Sequence, residues 1–164
     1  MTLISAQKHD PTYICNIKKG RPIMHENYTR QSLPSREYRE KLGSALCVFN
    51  SNYGFVVENI LNSSLDDSDN WYDLINFPGG RLQKRMQRSA LSERNDIIEL
   101  FASIVLKRNR IIHSFQITNK NEEQSLATLG KETLEQYEIT EDILLEFIKD
   151  NERLSDLLHE FRGY

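Results

Sequence analysis

SERNDIIELFASIVLKRNRIIHSF, residues 92–115, is the stretch that decides how the chain folds. Ser92 is suited to cap a helix, and Glu93 falls in the first turn near the positive end of the helix dipole. Ile97, Phe101, Ile104, Val105, Ile111, Ile112 and Phe115 then recur at three- and four-residue steps, which predicts one buried helical stripe. One residue breaks it. With Ile97 at zero and about 100 degrees per residue, Phe101, Ile104, Ile111 and Phe115 lie within roughly 40 degrees, and Arg108 lands among them near 20 degrees. A guanidinium there is costly unless it meets an anion or a partner surface, since an unpaired buried charge costs several kcal/mol. Asn109 and His113 fall together on one flank at i, i+4 spacing.

The rest of the chain extends the helical pattern in both directions. Upstream, Ser35 is a candidate N-cap for a helix reaching about Asn62. Tyr38, Leu42, Leu46, Phe49, Tyr53, Val56, Val57 and Ile60 form its apolar face. Residues Asn62–Asp69 read as a loop, Trp71–Phe77 as a short apolar stretch and Pro78-Gly79-Gly80 as a break. A basic helix over Arg81–Arg88 follows. Downstream, Asn119–Gly130 is polar and turn-rich, with a short strand pair over Ser125–Leu129 and Glu135–Ile139. A last helix starts at Thr140, with Leu144, Phe147, Ile148, Leu154, Leu158 and Phe161 on its apolar face. At the other end, Tyr13–Ile17 fits a short strand turning at Lys18–Pro22, or an arm that orders only against the rest. The expectation is an N-terminal arm over 1–34 and an all-α domain over 35–164. That domain is a bundle of four to five helices with room for a small β-hairpin.

A length of 164 residues with 38% hydrophobic and 27% charged residues fits one domain with a real core. No apolar run approaches the roughly 18–20 residues that span a bilayer, so no membrane association is expected. The opening residues lack the apolar core of a secretory signal, and Cys15 and Cys47 make no disulfide framework, so cytoplasmic residence is the expectation. The net charge of −3 conceals segregation. Residues 81–110 carry eight Lys/Arg against three Asp/Glu, whereas residues 121–164 carry four against twelve. A basic middle on an acidic chain can hold a polyanion, although solvated helix faces would look the same.

Familiar enzyme signatures are missing: the chain has no Gly-rich phosphate loop, no Cys-x-x-Cys and no His-Glu-x-x-His. None of His9, His25, His113 and His159 has a second His or Cys at ligand spacing, so neither a metal site nor a cofactor is expected. Arg108, Asn109 and His113 instead suit metal-free cleavage of RNA. Histidine as a residue type exchanges a proton near neutral pH, and Arg grips phosphate oxygens where charge builds. The RNA's own 2′-hydroxyl can serve as nucleophile. Arg81, Lys84, Arg85, Arg88 and Arg110 are the candidate phosphate contacts. The plain alternative is that His113 is an ordinary surface or core histidine. By composition, Arg-Asn-x-x-x-His is expected roughly 0.02 times in such a chain.

Arg108-Asn109-Arg110-Ile111-Ile112-His113-Ser114 resembles the HEPN superfamily, whose hallmark is Arg, a polar residue that is often Asn, three further residues, then His. The layout over 36–162 is similar too: a long helix with Leu42-Gly43 early in it, a Gly-containing stretch before a short helix, the motif near the end of another long helix, and a final amphipathic helix. The resemblance implies a homodimer with facing motif helices and a metal-independent endoribonuclease, commonly in bacterial toxin–antitoxin or antiphage systems with a cognate antitoxin or defence partner. It makes Arg108 and His113 catalytic, with Asn109 in support. One branch of the family carries a Tyr two positions after the His that can be adenylylated. Phe115 stands there and has no hydroxyl, so that modification is not expected. Two other readings keep the helical fold: a non-catalytic helical binding module, or an antitoxin or immunity protein whose acidic tail, Glu132 to Glu160, meets a basic toxin.

Overall fold

The two longest helices each start on a side-chain cap. Ser35 Oγ accepts from the Tyr38 N–H at 3.0 Å and opens α1, Arg36–Ser63. Thr140 Oγ1 accepts from the Ile143 N–H at 3.3 Å and opens α5, Glu141–Arg162, which Gly163 ends at a φ of 83°. The computed structural model describes residues 12–18, 21–26, 28–63, 69–130 and 135–163. Between the two long helices lie α2 (Trp71–Ile75), α3 (Gly79–Met86), a 3₁₀ turn at Ala90–Glu93 and α4 (Asn95–Ile112). The strands are β1 (Thr12–Lys18), β2 (Arg21–Glu26), β3 (Phe115–Thr118), β4 (Gln124–Leu129) and β5 (Gln136–Ile139).

The cross-helix pairs define how the bundle is threaded. Lys41 meets Glu141, Asn52 meets Asn151 and Glu58 meets Arg162, so α1 and α5 run parallel. Tyr53 stacks near Phe101 while Phe49 lies under Arg108, and Lys107 meets Glu146 whereas Arg94 meets Glu160. Helix α4 therefore runs antiparallel to both. Phe49, Val56 and Ile60 of α1, Ile97, Phe101 and Ile104 of α4, and Leu144, Phe147, Leu154 and Leu158 of α5 form the core, joined by Leu74, Leu82 and Met86 from the short helices. One polar layer crosses it: Asn52 Nδ2 donates to the Asn151 backbone oxygen at 2.6 Å, and both residues are buried. Satisfied in this way, the pair fixes the stagger of α1 against α5 at little net cost.

The expected bundle is present, with five helices among the described residues, and the small β-hairpin allowed for beside it extends to a three-stranded antiparallel sheet, β3-β4-β5. The foreseen strand pair is β4 and β5; the strand not foreseen is β3. Phe115 fits the α4 stripe by spacing, but α4 ends at Ile112 and His113 is its C-cap. Ser114 Oγ donates to the Ile111 oxygen at 2.6 Å, and Phe115 pairs with Ala127 in the sheet. Phe115 and Ile112 are both exposed rather than buried. The alternation of Phe115-Gln116-Ile117-Thr118 outweighs three-four periodicity once the helix has no further core to cover.

The start of α4 also shifts: Ser92 lies inside the 3₁₀ turn, which Ser89 caps by accepting from the Leu91 N–H at 3.3 Å, and α4 begins only at Asn95, after Arg94 and without a side-chain cap. Pro78-Gly79-Gly80 is a helix start, not only a break: the Pro78 oxygen accepts from Arg81 and Leu82 N–H. The N-terminal arm contains a hairpin, with Thr12 opposite Glu26 and a bulge between Ile14 and Asn16. Most of the foreseen loop after Asn62, and the turn residues 19 and 20, lie outside the described residues, as does Glu132. The arm is tied to the bundle by Arg39, which pairs with Glu26 and donates to the Pro34 oxygen at 3.0 Å. At that same end Tyr38 donates to the Ile139 oxygen at 2.6 Å, so β5 closes over the start of α1. Burial pushes the Tyr38 hydroxyl pKa up and keeps it a donor.

Candidate functional site

Packing of Phe101 and Ile104 onto α1 carries the next turn of α4 across Phe49. Arg108 is half-buried there, its guanidinium carbon 5.4 Å from the centre of the Phe49 ring. Its Nη1 donates to Asn109 Oδ1 at 3.2 Å. Its Nε is buried and has no hydrogen-bond partner among the described residues. The stripe position read from periodicity is thus the observed one, and the expected cost is visible as an unsatisfied N–H aimed into protein. The ring below supplies a cation–π attraction of about 0.5–2 kcal/mol, which offsets only part of it.

Tyr53 stands beside Phe49, ring centres 5.6 Å apart, and its hydroxyl donates to the Phe77 backbone oxygen. Burial raises the Tyr53 pKa, while the Arg108 charge pulls it the other way. The hydroxyl stays protonated and ties α1 to the α2–α3 turn, within reach of the Arg108 field. Neither Phe49 nor Tyr53 was foreseen as part of a site. Each reads as core on α1, and no local spacing links positions 49 and 108.

Asn109 is half-buried and His113 exposed. The His113 N–H donates to the Asn109 backbone oxygen at 3.0 Å, so the two follow each other by one turn at the very end of α4. Arg108 and Asn109 are joined directly; the His113 ring has no hydrogen bond to either among the described residues. Arg110, in the last turn, is exposed. Asn109 and His113 thus lie at the end of α4, where the chain turns into β3, and Arg110 and His113 are exposed there.

The basic run on α3 divides. Gly79 lies so close to α4 that a Cβ there would come within 2.6 Å of Val105 Cγ1, which sets α3 against the turn preceding Arg108. Arg81 lies over the Phe77 ring at 3.8 Å and is exposed, as are Lys84 and Arg88. Arg85 differs: it is ion-paired with Asp69 and largely covered, so it is the weakest of the four as a phosphate contact. Among the described residues no three His, Cys, Asp or Glu side chains form a metal-sized group, and no helix is long and apolar enough to cross a membrane.

No protein family, curated protein or solved structure matches this chain. Function rests on the site's own chemistry.

Proposed function

We propose that the chain is a metal-independent endoribonuclease of the HEPN type, a toxin or antiphage effector that cuts RNA by attack of the 2′-hydroxyl on the adjacent phosphate. The observation that carries this reading is Arg108, a cation held on an apolar seam with a buried, unpartnered Nε and an amide on its Nη1. A guanidinium so placed favours an incoming phosphate oxygen over water, because phosphate supplies the charge that the seam withholds. Asn109 fixes its orientation. His113, exposed one turn on, moves the proton between the 2′-hydroxyl and the leaving 5′-oxygen. Arg110 and the exposed cations of α3 hold flanking phosphates.

The active form in this reading is a homodimer. Leu106, Ile112 and Phe115 are large apolar side chains left exposed around His113, and a second copy would cover them and close the open side of the site. The test is cleavage of an RNA oligonucleotide in EDTA. Products are expected to end in a 2′,3′-cyclic phosphate and a 5′-hydroxyl, and a 2′-deoxy residue at the scissile position is expected to block cutting. Cleavage that stops with EDTA, or that tolerates the 2′-deoxy substitution, contradicts the proposal.

A further inference from the structure

Exposed rings and exposed cations occur together on the α2–α3 hairpin, whose Gly79 packs on Val105, one turn of α4 before Arg108. Arg85 Nε donates to Asp69 Oδ2 at 2.5 Å, which draws the start of α2 beside the last turn of α3 and neutralises Asp69. Trp71 and Tyr72 occupy that start. Their rings stand nearly perpendicular, centres 5.6 Å apart and planes at 86°, and Tyr72 is 77% exposed and Trp71 42%. Leu74 and Ile75 are the residues of α2 that pack into the core, which leaves Tyr72 in particular facing outward. Along α3 and just past it, Arg81, Lys84 and Arg88 are exposed with no acid between Arg81 and Arg88 in sequence, and none of the three is ion-paired among the described residues. Asp73, which accepts from Asn70 Nδ2, is the acid left on α2.

We infer that this hairpin is a landing platform for unpaired RNA, with bases stacking on Trp71 and Tyr72 and phosphates held by Arg81, Lys84 and Arg88. The inference rests on the reading of the chain as an RNA-directed protein and adds the substrate class. A pair of exposed rings beside a run of exposed cations matches a single strand, whose bases offer free faces next to a charged backbone. In a duplex those faces are already stacked and would meet only the cations.

Trp71 is the one tryptophan in the chain, so intrinsic tryptophan emission reports from this platform alone. An unstructured RNA oligomer, a perfect RNA duplex and heparin are titrated into the His113→Ala protein, with anisotropy read in parallel. The single strand is expected to quench Trp71 and the other two polyanions to bind without comparable quenching. Trp71→Ala and the separately made Tyr72→Ala should each weaken single-strand binding about tenfold. Tyr72 is exposed enough that its removal leaves the fold intact, which circular dichroism verifies. Single-strand binding with unchanged Trp71 emission, equal quenching by heparin, or unaltered affinity in both variants overturns the inference, as would a platform that responds only to a protein. Cleavage by the wild-type chain is scored separately. Cutting with a silent Trp71 removes the platform alone, whereas quenching without cutting supports the platform and removes the nuclease.

Discussion

Lys107 and Arg108 are consecutive residues on α4, yet they face two differently built seams. On the α5 side, Lys107 meets Glu146 at 2.6 Å and Asp150 at 2.7 Å. Burial pushes the Lys107 pKa down, but hydrogen bonds to Asp150 and Glu146 more than reverse it. On the α1 side, Arg108 has a ring, an amide and an unanswered Nε. One cation is consumed by the fold; the other is left uncompensated by it. Two carboxylates one turn apart show that this bundle can neutralise a charge where stability requires it. The lack of a carboxylate partner for the Arg108 guanidinium among the described residues therefore reads as a binding feature, and the two seams are expected to respond to mutation in opposite ways.

The largest contrast is expected from Arg108→Met. Cleavage should fall by about 10²–10⁴-fold, as for loss of a positioned catalytic group. Stability should hold or rise, because removing a buried donor without a partner recovers part of a penalty of about 1–3 kcal/mol and the thioether still packs on Phe49. A cleavage assay and a thermal melt on the same sample check both. A clear fall in melting temperature would make Arg108 a structural residue like its neighbour.

Lys107→Met is the mirror case, with cleavage unchanged and the fold slightly weakened. The Lys107 side chain is 32% exposed and those of Glu146 and Asp150 66% and 25%, so solvent screening limits the expected loss to about 1–2 °C in melting temperature. A large loss of cleavage in this variant would break the division between the seams.

The smallest effect concerns acid. The hydrogen bond from Lys107, with its charge, lowers the Glu146 pKa below its ordinary value of 4.5. The folded carboxylate thus loses its proton more readily than the unfolded one. The stability it contributes is present above about pH 4.5 and is lost as pH falls through the lower folded value. Melts between pH 6 and 3 should show an acid-linked decrement in the wild type that is smaller in Lys107→Met. Identical pH profiles would mean that the ion pair contributes nothing measurable.

The long helices were legible because each writes its buried face as a three-four repeat, and the caps at Ser35 and Thr140 fall where the pattern begins. The position of Arg108 on the stripe was legible for the same reason. The end of α4 was not. Ile112 and Phe115 continue the helical spacing arithmetically, but Phe115 begins a strand whose partner, Ala127, lies across a turn held by Asn119. A local repeat carries no record of that pairing. Phe49 under Arg108 and Asp69 against Arg85 were hidden because they depend on tertiary juxtaposition of distant segments. The Asn52–Asn151 layer was hidden because an asparagine on an apolar face looks like an interruption until its partner is in view.

The most direct test of the central claim is His113→Ala, with RNA cleavage in EDTA and melting temperature measured on one preparation. His113 is exposed and caps α4 through its backbone, so the melt is expected to stay unshifted while cleavage falls by about 10²–10⁴-fold. Cleavage that survives in His113→Ala, or a lost activity that follows a lowered melting temperature, would contradict it.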